Sequence, residues 1–126
     1  MTNANELRIG NWVKLNNQED GKLVKFKYFS ENLRVAFFYK EVMGEFTANI
    51  AGIELSPEIL EKCGFKKSLN GYCYGMITND GKNRFSIFPD GTFKLGTQDL
   101  SVNIHHLHQL QNLYFALTGE ELNYTP

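Results

Sequence analysis

Apolar and polar residues alternate in short runs through the first half of the chain. Residues 23–28 put Val24, Phe26 and Tyr28 on one side and two lysines on the other, which is the period-two pattern of a β-strand. Similar runs cover residues 12–15, 33–42 and 46–50. Four short runs within about fifty residues, separated by glycine and polar clusters, predict a small curled sheet, and we expect it to be SH3-like.

A short helix is predicted after this region by its capping residues. Ser56 is a good N-cap because its hydroxyl can accept from an unpaired backbone N–H, and Pro57 suits the first helical position. Gly64 supplies the left-handed residue that ends the helix, and Phe65 can pack back on Leu60 in a Schellman motif. We expect this two-turn joint to bury Ile59, Leu60 and Cys63 and to expose Glu58, Glu61 and Lys62.

The second half returns to alternation, in four short runs separated by turn sequences. Tyr72, Tyr74 and Met76 share one face of the first run, and residues 84–88 form the return strand. Turns are predicted at residues 79–81, 89–91 and 96–99. This pattern predicts a four-stranded antiparallel meander.

The last apolar pattern of the chain is helical. Its stripe consists of Leu107, Leu110, Leu113 or Tyr114, and Leu117. Gly119 is a helix stop, and Gln109 and Gln111 fall on the polar side. A helix of about 12 residues is marginal alone, so its stripe must be covered, and we expect residues 105–118 to close the meander.

These patterns together predict an α+β protein in two parts. Residues 1–54 make a small β-barrel-like subdomain, and residues 55–126 make the short helix, the meander and the C-terminal helix. The chain has 126 residues, of which 42% are hydrophobic. This is enough for a hydrophobic core that needs no disulfide bonds or metal ions to stabilise it. No proline- or serine-rich linker separates the parts, so we expect them to pack as one unit.

Charge and cysteine content narrow the class of protein and its compartment. A net charge of -1 and a pI near 6.3 argue against a protein whose main work is wrapping nucleic acid. Cys63 and Cys73 form no Cys-x-x-Cys motif, and we expect reduced thiols in the cytoplasm. The polar first residues predict no signal peptide, and no apolar run approaches the roughly 18 residues of a membrane span.

The histidines are the densest group of candidate metal ligands. His105 and His108 are three residues apart and could face the same way, with His106 between them. A zinc site needs three or four ligands, and no other paired ligand motif accompanies them. We therefore expect no metal site, and histidines that are largely neutral near the positive end of the helix.

Catalytic groups are equally scarce in the sequence. The close carboxylates are Glu19 with Asp20, Glu58 with Glu61, and Glu120 with Glu121. All of them fall in polar turns or on a helix surface, where solvated charge is expected. Neither cysteine has a histidine nearby, and no phosphate-binding glycine motif occurs. We expect no catalytic residue, no cofactor-binding residue and no enzymatic activity.

Cations of the first half alternate with aromatic residues, which suggests a second kind of site. Small barrels that bind single strands use such mixtures, because cations follow the phosphates and exposed rings stack on bases. The candidate nucleic-acid contacts are Lys25, Lys27, Arg34, Phe38 and Lys40. The favoured alternative is that the rings build the core and the lysines solubilise the outer face of the sheet.

Three segments carry a resemblance to a group of known proteins. They are Asn5-Glu-Leu-Arg-Ile-Gly-Asn-Trp-Val13, Ile53-Glu-Leu-Ser-Pro-Glu-Ile-Leu-Glu-Lys-Cys-Gly-Phe65 and His106-Leu-His-Gln-Leu-Gln-Asn-Leu-Tyr-Phe-Ala-Leu-Thr-Gly-Glu-Glu-Leu122. In them the chain resembles short uncharacterised proteins of gut bacteria and their phages or prophages. The resemblance implies a cytoplasmic bacterial protein, encoded by a mobile element, with an accessory role, and it assigns no active residue.

The function expected from the sequence is an interaction module that works through protein surfaces. Its partner is expected to be another protein, because the sequence contains no recognisable catalytic or cofactor-binding motif. The alternative is weak nucleic-acid binding by the basic and aromatic strands of the first half.

Overall fold

The computed structural model describes residues 6–15, 22–30, 35–38, 45–46, 50–69, 71–78 and 81–126. The chain divides into two compact units. The first comprises Met1–Glu54 and His106–Glu121, and the second comprises Leu55–His105 and Leu122–Pro126. Each unit contains an antiparallel sheet, and helices occur in both, so the α+β class predicted from the sequence is confirmed.

The first unit holds a five-stranded antiparallel sheet in the order β4-β3-β2-β1-β5. Its strands are β1 (Trp12–Leu15), β2 (Lys22–Phe29), β3 (Val35–Phe38), β4 (Glu45–Phe46) and β5 (Ile50–Ala51). The long β2 pairs with both β1 and β3, and its register with β3 shifts between Phe26 and Tyr28.

Alternate residues of these strands form the core of the first unit, as the period-two pattern predicts. The core residues are Val13, Leu15, Val24, Phe26, Ala36, Phe38 and Ile50. The rings of Phe26 and Phe38 meet edge to face, with centroids 6.3 Å apart. Tyr28 departs from the pattern, because the register shift turns it outward and Phe29 packs on the core instead.

The second unit holds a five-stranded antiparallel sheet in the order β10-β9-β8-β7-β6. Its elements are α1 (Pro57–Lys62), β6 (Lys66–Lys67), β7 (Tyr74–Ile77), β8 (Arg84–Ile87), β9 (Thr92–Leu95) and β10 (Gln98–Asn103). The predicted meander is present as β7 to β10. The sequence pattern missed β6 because two lysines carry no alternation and read as part of a polar loop.

The caps of α1 are those predicted. The Ser56 hydroxyl accepts a hydrogen bond from a first-turn backbone N–H at 3.3 Å, and Gly64 has φ of +97°. The Gly64 N–H donates to the Glu61 carbonyl at 3.0 Å, and the Phe65 N–H donates to the Leu60 carbonyl at 2.9 Å, which together make a Schellman motif. Leu60 and Cys63 are buried, Ile59 is half-buried, and Glu58, Glu61 and Lys62 are exposed.

The helix α2 (Leu107–Thr118) belongs to the first unit. The expectation that it closes the meander of the second unit is therefore wrong. It begins two residues later than predicted, after His106, and ends at Gly119 with φ of +75°, as expected of a glycine stop. In the described part of the chain, neither helix is both long and apolar enough to cross a membrane.

The buried face of α2 is wider than its leucine stripe. Leu107 and Leu110 are fully buried and Tyr114 is nearly so, but His108 and Gln111 are buried as well. The Trp12 N–H donates to Gln111 Oε1 at 2.9 Å, and Gln111 Nε2 donates to a backbone carbonyl of the same segment at 3.3 Å. The placement of Gln111 on a solvent-facing side is therefore wrong, because the amide satisfies backbone groups beside β1.

Candidate interaction surface

The segment before β1 is held to α2 by a cluster of polar contacts. Arg8 donates from Nε to Asn112 Oδ1 at 3.2 Å, pairs through both terminal nitrogens with the Glu121 carboxylate, and stacks 4.3 Å from the centre of the Phe115 ring. Asn11, which is fully buried, donates to the same Asn112 oxygen at 2.8 Å. This face of α2 is thus occupied within the first unit.

Glu121 departs from the expectation of a simply solvated carboxylate. Hydrogen bonding from Arg8 lowers the pKa of Glu121, and the positive charges of Arg8 and Lys25 act in the same direction. The second acidic pair, Glu58 with Glu61, lies exposed on α1 as expected. The third, Glu19 with Asp20, lies outside the described residues.

The three histidines do not form one cluster. His105 belongs to the second unit, whereas His106 and His108 belong to the first. The rings of His106 and His108 stack with centroids 5.7 Å apart. A Cβ on Gly52 would lie 2.7 Å from the His106 ring and 3.0 Å from the His108 ring, so only glycine leaves room for both.

His108 is the buried titratable group of this cluster. Its side chain is 1% exposed, and its Nε2 lies 3.1 Å from Glu6 Oε2. Its Nδ1 has no hydrogen-bond partner in the described part of the chain. Burial lowers the pKa of His108, against a smaller opposing effect of Glu6. Among the described residues, no group of three or more histidines, cysteines or carboxylates is placed to hold a metal ion.

Acidification should destabilise the protein through His108. Because burial lowers the folded-state pKa below the ordinary value of 6.5, the unfolded chain binds more protons as the pH falls below that value. The free energy of unfolding should thus be highest above about pH 6.5 and decrease toward the lowered pKa. Urea titrations at about pH 7.5, 6 and 5 measure it.

The control for this pH effect is His108→Gln, which removes the titrating ring. The variant should show a flatter pH dependence over the same range, whatever its absolute stability. Equal slopes for the two proteins would assign the pH dependence to other groups.

The structure places the predicted nucleic-acid contacts in different environments. Lys25 and Lys27 lie exposed on one face of β2. Phe38 is 2% exposed and packs in the core of the first unit, so its prediction as a base-stacking ring is wrong. Arg34 and Lys40 lie outside the described residues. The described strands thus present two of the predicted cations without the predicted ring.

Two small residues, Gly75 and Ser86, lie beside Lys66 on the outer face of the second sheet and form the floor of a groove. Lys66 pairs with Gly75, and Gly75 pairs with Ser86, so the three make one row across β6, β7 and β8. Ile77 and Arg84 form the neighbouring pair on the same face. Phe85 and Ile87 of β8 alternate with these residues and are buried, which identifies the row as the outer side.

An open groove of about 660 Å³ runs over this floor. We call it the outer trough; it is lined by Gly64, Lys66, Lys67, Ser68, Leu69, Cys73, Gly75, Met76, Ile77, Arg84 and Ser86. Leu69 is fully exposed and Ile77 is 63% exposed. Among its described lining residues there is no carboxylate and no aromatic ring. The sequence pattern missed this surface, because the pairing of Gly75 with Ser86 is set by the register of two strands.

The cations of the outer trough stand without described anionic partners. Lys66, Lys67 and Arg84 are all exposed, and none makes an ion pair within the part of the chain that the structure describes. Three like charges beside exposed aliphatic side chains favour a ligand that is both acidic and apolar.

The two cysteines occupy contrasting places in the second unit. Cys63 is buried at the end of α1, and burial raises its pKa to about 12. Cys73 is half-buried, lines the outer trough, and is held there by its carbonyl, which accepts from the Ser68 N–H at 2.8 Å. Both thiols are free.

One thiol should therefore react rapidly in the folded protein and the other slowly. The thiolate is the attacking form, and burial of Cys63 suppresses both its ionisation and its access. Mass spectrometry after brief alkylation should find one adduct, at Cys73, and two adducts after unfolding in urea. Cys73→Ser should lose the fast adduct and Cys63→Ala should keep it; fast labelling of Cys63 would contradict the burial of that thiol.

Comparisons of the chain with protein-family models, with curated proteins and with solved structures find no match.

Proposed function

We propose that this chain is a non-enzymatic interaction module whose second unit binds a partner protein in the outer trough. The occupant is an acidic segment of the partner that also carries an aliphatic side chain. The observation that carries this proposal is the combination of Lys66, Lys67 and Arg84 with exposed Leu69 and Ile77 around one open groove. Opposite charge steers the segment to the trough, and burial of aliphatic surface holds it there.

A protein segment fits the outer trough better than a single-stranded nucleic acid. Nucleic-acid sites of this kind combine cations with aromatic rings on which bases stack. The described lining of the trough has the cations, but its exposed apolar groups are Leu69 and Ile77. Aliphatic side chains of this kind pack on aliphatic partners and give a base no aromatic surface.

The first unit is proposed to be an SH3-like barrel. The strand order β4-β3-β2-β1-β5 supports this, together with the long β2 that pairs on both sides and changes register part-way. The cytoplasmic setting and the association with phages or prophages are proposed from the resemblance of the sequence segments. Weak nucleic-acid binding through Lys25 and Lys27 is the alternative function, which the exposure of both side chains supports.

Fluorescence anisotropy with a labelled peptide of alternating Glu and Leu residues tests this function. Binding should weaken as salt rises, because the contacts are between exposed charges. Lys66→Glu and Arg84→Glu should each weaken binding about fivefold or more. The matched control is Lys62→Glu, which reverses an exposed cation of α1 outside the outer trough and should leave the affinity unchanged.

Cys73 provides a second readout in the unlabelled protein. A peptide in the outer trough should slow alkylation of Cys73 in proportion to its occupancy. Equal binding of a Ser-Leu peptide, unchanged binding by the two reversal variants, or an unprotected Cys73 would each contradict the proposal. Tighter binding of oligo-dT that is lost in Lys25→Glu or Lys27→Glu would establish the alternative function instead.

A further inference from the structure

A second concave site lies on the inner side of the second unit and is distinct from the outer trough. It is a cavity of about 290 Å³ whose walls come from α1 and its preceding segment, β7, β8, the turn after β8 and the segment after β10. Its principal apolar lining residues are Leu55, Leu60, Tyr74, Ile87, Phe88 and Ile104. We call it the apolar cavity.

Backbone hydrogen bonds connect several of the segments that line the apolar cavity. The Leu55 N–H donates to the His105 carbonyl at 2.9 Å, and the Ile104 N–H donates to the Gly91 carbonyl at 2.7 Å. The Phe88 N–H donates to a carbonyl of β9 at 2.9 Å. These bonds fix the segments that line the cavity, so a ligand would meet a largely preformed site and would lose less affinity to ordering.

His105 supplies a polar group at the apolar cavity. Its ring packs directly against Gly91, where an added Cβ would lie 2.5 Å from the ring, so the glycine determines where the imidazole stands. Hydrogen bonds from Thr92 lower the pKa of the adjacent Asp90, and the charge of His105 contributes in the same direction. Close packing against Gly91 thus helps to fix the position of the imidazole, which also lines the cavity.

We propose that the apolar cavity binds a small uncharged aromatic molecule of one or two rings that hydrogen-bonds to His105. The size follows from volume, since a dry cavity of about 150 Å³ lined by aliphatic and aromatic side chains already accepts benzene. A volume of about 290 Å³ holds a two-ring molecule the size of indole. The class follows from the lining, because Tyr74 and Phe88 supply aromatic rings and the described walls carry no Asp, Glu, Lys or Arg side chain.

Indole is the probe that tests this site in the full chain. Two-dimensional NMR should show saturable shifts of the amides of Leu55, Leu60 and Ile87, at millimolar concentrations or below. N-methylindole, which has no N–H to donate, should bind about fivefold more weakly than indole. His105→Ala should weaken the binding of indole by a similar factor and should remove the difference in affinity between indole and N-methylindole.

Leu55→Phe is the variant that fills the apolar cavity, and it should weaken indole about tenfold or more. Ile77→Ala in the outer trough is the matched control and should leave indole binding unchanged, which separates this site from the proposed function. The proposal is overturned if indole gives no saturable shifts in the wild-type protein, or shifts only outside the cavity. That wild-type result decides the matter even where Leu55→Phe does not fold.

Discussion

Replacing Leu110 by alanine should lower the free energy of unfolding by about 2 to 5 kcal/mol. Leu110 is fully buried in α2, on the same side as Leu107 and Tyr114. The substitution removes buried methyl groups and leaves a cavity that the surrounding side chains close only in part. Urea denaturation followed by circular dichroism measures the change, as a shift of the midpoint at constant slope.

A graded set of variants on the same helix controls for helix propensity. Leu113→Ala should cost less than Leu110→Ala, because Leu113 is only half-buried. Ala116→Gln, at an exposed position, should change the stability by less than about 0.5 kcal/mol. If all three variants unfolded at the wild-type midpoint, the packing of α2 would not be the one described.

The sequence predicted local structure correctly where a single residue type meets a local requirement of the backbone. Ser56, Pro57 and Gly64 delimited α1 because capping depends on neighbours a few residues away. Alternation located the strands for the same reason, until the register shift after Phe26 exchanged the roles of Tyr28 and Phe29. A bulge of this kind depends on the partner strand, which the run of residues 23–28 does not contain.

The assignment of α2 required information that an apolar stripe does not carry. A leucine stripe shows that one face of a helix must be buried, but it does not show which sheet buries that face. In the structure, Asn11, Gln111 and Asn112 take part in hydrogen bonds that connect α2 to the segment before β1 and to its first residue. Asn and Gln on a helix ordinarily indicate a solvated face, so the pattern gave no reason to count them as buried.

The candidate sites were missed for a related reason. The outer trough depends on Gly75 lying opposite Ser86 and beside Lys66, a relation set by the registers of three strands. The apolar cavity brings Leu55, Tyr74 and His105 together from segments far apart in the chain. Neither arrangement has a fixed sequence spacing. The nucleic-acid prediction relied on cations that alternate with aromatic residues in the first half, and the structure buries one of those rings, Phe38.

Removing the buried amide of Gln111 should lower the free energy of unfolding nearly as much as truncating a buried leucine of α2. Replacing Gln111 by alanine leaves the Trp12 N–H without its acceptor and the Gly10 carbonyl without its donor. An unsatisfied group in a buried setting costs about 1 to 3 kcal/mol, so we expect a loss of about 2 to 4 kcal/mol from the two groups and the lost packing. Urea denaturation of the purified variant measures this loss.

Two further variants separate the hydrogen bonds of Gln111 from its volume. Gln111→Met keeps the length of the side chain without its amide and should lose a substantial part of the same stability. Gln109→Ala removes a half-buried glutamine of the same helix, whose Oε1 accepts from the His106 N–H at 3.1 Å, and should cost about 1 kcal/mol or less. A larger effect at Gln109 than at Gln111 would mean that α2 is rotated from the orientation described. Wild-type stability of Gln111→Met would show that packing, not the hydrogen bonds to the β1 region, makes this position important.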